Sequence, residues 1–314
     1  MYWCVLSLTF VLLRLAPGDP AAFLLSPTAT AAENVHARSE LGLDRPLAVQ
    51  YARWLRESLA GRLGESFANR RPVRAVIADA LPISFALGSA SLLLSFVIGI
   101  GAGLYQAARR GSSSDHLITA ASVVLVASPA YWVGLGAIAC FTYLASMWNF
   151  PLALRLPAIG MTTPGATLHG ARLAADILRH SIIPVTLLSA IGAGGVARYV
   201  RTGALDVMRG DWLRTARAKG ASERTVFTRH LLANLRAPLV TLFALALPGT
   251  IAGSVFVETI FAWPGMGRLM VQSIVARDYP VVMACAATFA AVVIVANLVG
   301  EALLPWADPR TRRA

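Results

Sequence analysis

The chain has 314 residues, 56% of them hydrophobic and only 14% charged, with a formal net charge of +12 and a mean hydropathy of +0.62. Such a composition excludes an ordinary soluble domain and makes a bilayer the natural solvent. The positive charge needs no nucleic acid, because arginine-rich loops facing anionic lipid account for it. Cys4, Cys140 and Cys285 sit inside apolar runs without paired spacing, so they read as small hydrophobes and not as disulfides. The scattered histidines form no metal-ligand pattern, and no cofactor is expected.

The first apolar run, Met1 to Leu13, is short. At ~1.5 Å per residue it covers ~20 Å, less than the ~30 Å of hydrocarbon in a bilayer. It lacks the basic start and small-residue cleavage site of a signal peptide, and "RLAPGDP" follows directly. We expect the chain to begin inside its first membrane helix; a short helix that thins the membrane locally is the alternative. The stretch from about 14 to 82 then forms an outer region. Within it, Leu47, Tyr51, Trp54, Leu55 and Leu59 recur at helical spacing, with Arg53, Arg56 and Glu57 on other faces. An amphipathic helix ending at Gly61 or Gly64 is expected, lying on the membrane, against neighbouring spans or against a delivery protein.

Four further uncharged runs are long enough to span: Ile83 to Tyr105, Leu117 to Trp148, Ala237 to Val257 and Tyr279 to Gly300, with Ser181 to Ala197 a fifth near the lower limit. Counting the first run, the reading is an all-α polytopic membrane protein with six transmembrane helices and a single domain over 1–314. Nine Lys/Arg fall between Arg198 and Arg236, and Arg109, Arg110, Arg310, Arg312 and Arg313 lie on the same side, so the positive-inside rule places that side and both termini in the cytoplasm. A long outer loop crosses regardless of its own charge.

The segment from about 198 to 236 is unlike a plain charged loop. Leu205, Met208 and Trp212 recur at i, i+3, i+7 and predict one helix from about Ala204 to Lys219, ended by Gly220. Ser222 is placed to cap a second helix with Glu223 in its first turn and Val226, Phe227, Leu231 and Leu232 facing inward. Ala216, Ala218, Gly220 and Ala221 keep the bend thin, while Arg214, Arg217, Lys219 and Arg224 rim it with positive charge. A solvated loop has no need of Met208, Trp212 and an alanine-rich turn together, so the bend reads as a docking surface.

These residues carry a resemblance. "DWLRTARAKGASERTVFTRHLLAN" resembles the EAA loop of ABC-importer permeases of the dipeptide, oligopeptide and nickel branch. The general pattern has Glu, Ala, Ala six to four residues ahead of the glycine; Arg214, Thr215 and Ala216 stand there before Gly220, so the glutamate is absent. An R-T-A-R-A-K-G loop is itself similar to the peptide branch. "LGLDRPLAVQYARWL", "GRLGESF", "VETIFAWPGMGRLMVQSIVARDYPVV" and "DPRTRR" extend the resemblance along the whole chain, and they resemble the first of the two permeases more than the second. It implies a permease half that pairs with a homologous permease, two cytoplasmic ATPases and an extracytoplasmic solute-binding protein. It further implies a coupling role for Asp211, Trp212, Arg214, Thr215, Ala216, Arg217, Ala218, Lys219 and Gly220.

The chain has one lysine, Lys219, and no G-x-x-x-x-G-K-[ST] loop, so it lacks the usual phosphate cradle and is not read as an enzyme. The alternative, an ion-coupled secondary transporter or channel, calls for charged residues within spans; the uncharged runs contain none, Glu258 and Glu301 lying at run ends. Hydroxyls and small residues in the spans, including "GAGG" at Gly192 to Gly195, either line a path or pack helices. Ser128, Tyr131 and Glu258 are the candidates for a translocation path, with Glu258 either meeting a cationic terminus at the outer mouth or capping a loop helix.

Overall fold

The computed structural model describes residues 2–15, 30–40, 42, 44–151, 155–210, 215, 218–222, 225–226, 231–252 and 255–307. The described residues are helical with one isolated bridge, Glu65 to Pro72. The helices are α1 (Tyr2–Leu15), α2 (Ala31–Glu40), α3 (Leu47–Leu59), α4 (Val73–Ala108), α5 (Ser113–Ala127), α6 (Ala130–Ile138), α7 (Ala145–Met147), α8 (Gly170–Met208), α9 (Leu232–Ala246), α10 (Gly249–Ala252), α11 (Val255–Ile260), α12 (Met266–Val275) and α13 (Tyr279–Ala307), a π-helical stretch at Ala139–Leu144 joining α6 to α7. Among the described residues, four helical segments are long and apolar enough to cross a membrane: Val73–Ala108, Ala130–Met147, Gly170–Met208 and Tyr279–Leu303. Shorter apolar helices cover Trp3–Leu12, Ser113–Ala127 and Leu232–Ala246.

Two expected spans are interrupted. The run Leu117 to Trp148 divides at Ser128, whose ψ of 134° is extended, and Pro129, which precedes α6. The run Ala237 to Val257 divides after Ala246, where Leu247 and Pro248 form a turn closed by the Thr250 amide donating to the Leu247 carbonyl at 3.1 Å. Proline supplies no amide hydrogen to the carbonyl four residues earlier, so a helix already ending there is not carried across.

The chain forms two compact units. One comprises 1–84 and 264–294. Its core joins Val73, Ile77 and Ala80 of α4 to Met266 of α12 and Val281, Ala284 and Cys285 of α13. The expected amphipathic helix is α3, and it ends where glycine allows: Gly61 has φ +72°, and the Arg62 amide reaches back to the Glu57 carbonyl at 2.9 Å in a Schellman closure. Its apolar face packs on α1, with Phe10 stacked on Trp54 at 5.6 Å and the Tyr51 hydroxyl 2.6 Å from Ser7 Oγ. The buried Asp278 carboxylate gathers the loop before α4, accepting hydrogen bonds from Ser66 Oγ and from the amides of Phe67 and Ala68.

The other unit comprises 85–263 and 295–314 and is built around α8. Small residues let its helices approach closely. A Cβ at Gly99 would strike Val196 and the Ala193 carbonyl, one at Gly192 would strike Ser95, and one at Gly194 would lie 3.2 Å from Ser122 Cβ. Ser95 and Ser189 bond to backbone carbonyls across this contact, Ser95 Oγ to Ser189 O at 3.2 Å and Ser189 Oγ to Ser91 O at 3.1 Å. The buried serines and the "GAGG" stretch are therefore used in helix packing. An apolar core of Phe96, Val196, Val200, Ala204, Val226, Leu231 and Leu235 lies at the end of α8 that leads into the segment resembling an EAA loop.

Candidate functional site

The helix expected from Ala204 to Lys219 is not continuous. α8 stops at Met208, and the amides of Arg209 and Gly210 close its last turn by bonding three residues back, to Asp206 at 3.2 Å and Val207 at 3.1 Å. Gly210, costing ~1 kcal/mol relative to alanine inside a helix, marks the stop. Asp211, Trp212, Arg214, Ala216 and Arg217 lie outside the described residues, as do Glu223, Arg224 and Phe227. Thr215 and Ala218 are helical and exposed, and the Lys219 amide donates to the Thr215 carbonyl at 3.1 Å.

Gly220 has φ +82°, and among the described residues no heavy atom lies within 4 Å of where a Cβ would stand. The turn demands glycine for its backbone conformation, and Gly220 is itself exposed. Two residues on, Ser222 caps the second helix as its position predicts: Oγ accepts from the Thr225 amide at 3.3 Å and the carbonyl from the Val226 amide at 3.0 Å. Val226 and Leu231 are buried in the α8 core, Leu232 is half-buried, and Leu235 packs where Gly203 leaves room. The bend is thus exposed at its tip and anchored at its base on α8.

A polar cluster that sequence reading missed supports that base. Arg201 of α8 holds the Asp115 carboxylate with a two-bond fork, Nε to Oδ1 and Nη2 to Oδ2, both 2.8 Å. Oδ2 also accepts from the Gly111 amide at 3.0 Å and Oδ1 from Gln106 Nε2 at 3.1 Å, while Nε2 lies 2.9 Å from Thr119 Oγ1. Asp115 and Gln106 are each 1% exposed. Asp115 stands ahead of the apolar run that begins at Leu117, and the Arg201 fork, followed by the Gly111 amide, holds its carboxyl well below the usual carboxylate range against the opposing effect of burial. The signals in the sequence were Ser112, which caps α5 by accepting from the Asp115 amide, and two arginines, Arg198 and Arg201, just beyond the apolar part of α8.

Of the three path candidates, Tyr131 and Glu258 stand on helices that pack together, α6 and α11, where Gly134 meets Ile260. Ser128 ends α5 half-buried, and Tyr131 is exposed in the first turn of α6, its ring 6.2 Å from that of Trp132. Glu258 is fully buried in α11, a short helix closed by the Trp263 amide on the Glu258 carbonyl at 2.8 Å. Its carboxylate is inside the fold in this conformation and not at an open mouth. Among the described residues no group of His, Cys, Asp and Glu has the arrangement of a metal site.

Residues 77–313 match the family described as binding-protein-dependent transport system inner membrane component, and residues 2–88 match the N-terminal region of such membrane components. The chain belongs to this family. The permease is 36% identical over 304 residues to the oligopeptide transport system permease protein AppB of Bacillus subtilis, covering 96% of this chain and 92% of that one. It is 35% identical over 320 residues to the di/tripeptide transport system permease protein DppB of Pseudomonas aeruginosa, with 99% and 95% covered. With the glutathione transport system permease protein GsiC of Salmonella typhimurium it shares 34% over 308 residues, with 98% and 94% covered. Among solved structures, the MetNI methionine ABC transporter in an inward-facing form superposes with a TM-score of 0.58 at 16% identity, over 76% of this permease and 98% of that chain, a likeness of fold.

Proposed function

We propose that this permease is one of two homologous membrane halves of an ABC importer that carries peptides or a related small solute inward across the cytoplasmic membrane, driven by ATP hydrolysis on two partner subunits and supplied by an extracytoplasmic binding protein. In this reading it is a single domain with six transmembrane helices, both termini are cytoplasmic, and the segment around Gly220 docks an ATPase. The observation that carries the coupling role is the bend itself: a left-handed glycine turn with an exposed tip, between helical Ala218 and the Ser222 cap, with Val226 and Leu231 buried on α8. The peptide-class solute rests on the peptide and glutathione permeases to which the whole chain is related. Selection among such solutes is assigned to the binding protein.

Lys219→Glu reverses a charge at the rim of the bend, and Arg217→Glu a second. Loss of attraction plus new repulsion is worth about 1–2 kcal/mol, roughly 5–30-fold in ATPase affinity, and weakens as salt is raised. Co-purification of the ATPases with the permease pair checks this. Retention and uptake equal to wild type in both variants at low salt would remove the docking role.

Orientation has its own check. With Cys4, Cys140 and Cys285 replaced, a cysteine at Ser222 is expected to react with an impermeant thiol reagent only from the cytoplasmic side, and one at Ala60 only from outside; both positions are exposed. The reverse pattern would invert the topology.

A further inference from the structure

We propose that Asp115 and Arg201 are positioning residues for transport: their fork locks α8 in register with α4 and α5, so that movement of the docked bend reaches the membrane helices as the movement of one body. This rests on the docking role proposed for the bend.

The placement of the cluster carries the argument. Gln106 lies in the last turns of α4, Gly111 in the connecting turn, Asp115 in the first turn of α5, and Arg201 on α8 two turns before that helix stops at Met208. The bend follows in the chain, and beyond it Val226 and Leu231 are buried against the same end of α8. Displacement of the bend therefore acts first on the end of α8. Further along the helices Ser95 and Ser189 bond α4 to α8; at the end of α8 next to the bend the core is apolar, and the hydrophobic effect that holds it is non-directional. The fork is directional. An axial slip of α8 by one residue, ~1.5 Å, is enough to open hydrogen bonds of this length. Asp115 is buried with four groups aimed at it: the two Arg201 nitrogens, the Gly111 amide and Gln106 Nε2. Buried ion pairs are weak sources of net stability against an apolar replacement, and their best-attested use is to fix register.

The test uses the complete importer in proteoliposomes, with ATP hydrolysis and uptake of a labelled peptide measured together. Arg201→Lys keeps the charge and loses the fork. It is expected to retain ATPase subunits and hydrolysis while uptake per ATP falls at least ten-fold. A second substitution then asks whether register is what was lost. Asp115→Glu lengthens the acid where Arg201→Lys shortens the base, so the double variant regains a charge-assisted bond between α5 and α8. It is expected to restore uptake per ATP towards the wild-type value at equal ATP hydrolysis. Unchanged coupling in Arg201→Lys, or a double variant that assembles and hydrolyses ATP yet stays as uncoupled as Arg201→Lys, would each overturn the proposal. So would a loss of uptake matched by an equal loss of assembled complex, which marks a purely structural role. Failure of the wild-type permease to retain ATPase at all would instead count against the docking role itself.

Discussion

Gly220→Val is expected to leave the permease inserted and paired while its ATPase partners are lost on purification, together with solute-stimulated hydrolysis. Among the described residues nothing lies within 4 Å of the position a Cβ would take, so crowding by them is not the reason. The reason is φ of +82°, which a β-branched residue adopts only at a cost of about 1–3 kcal/mol. That is ~5- to 150-fold in the population of the native bend, at an exposed site whose strain does not touch the helical core. Asparagine, which visits left-handed backbone more readily, should fall between glycine and valine. The ordering Gly, Asn, Val in ATPase retention, at equal thermal midpoint, checks this; three equal retentions would show that the turn is not a docking element.

Asp115→Ala should be the most destabilising change considered. It leaves the Arg201 guanidinium and the Gly111 amide without their acceptor and takes from Gln106 Nε2 one of its acceptors, the Asp115 carbonyl and Thr119 Oγ1 remaining. Breaking a buried pair typically costs 3–5 kcal/mol, and because the Arg201 side chain is 29% exposed and regains some water, about 2–4 kcal/mol is expected. The pH dependence follows from the direction of the shift. A carboxylate held below its ordinary value stabilises the fold fully above that value, 3.8, and loses this contribution only as pH falls through the lower folded-state one. The difference in thermal midpoint between wild type and Asp115→Ala should therefore be constant from pH 8 to pH 5 and shrink only in stronger acid. A difference that disappears near pH 6 would contradict the geometry of the cluster.

What could be read from the sequence was whatever local chemistry decides. The apolar length of α4, α8 and α13, the close of α3 by Gly61, the Ser222 cap and the left-handed need at Gly220 each follow from a few adjacent residues. Hydropathy could not find the divisions at Ser128 and Leu247, since both lie in uniformly apolar stretches and proline alone does not mark them: Pro82, Pro184 and Pro238 all sit inside unbroken helices. The Asp115 to Arg201 pair spans 86 residues, and no periodicity connects its members. A cap at Ser112 predicts that Asp115 starts a helix but not that an arginine from another helix will meet it. The uncharged polar residues of the spans were ambiguous for a similar reason, since a serine in an apolar helix looks the same whether it faces a neighbour or a path; Ser95, Ser122 and Ser189 turn out to face neighbours.

The divided runs also govern how this permease meets its solvent. Hydrocarbon chains offer no hydrogen-bond donors, so carbonyls exposed by a helix end at membrane depth must be covered by protein or wetted. At the second division the Thr250 carbonyl is covered directly, pressed against Gly88 of α4, where any side chain would collide with it. An alanine at 88 would wedge the helices apart and uncover that carbonyl. A single hydrogen atom on Gly88 is therefore what lets protein, and no solvent, cover a backbone oxygen at the break in the run.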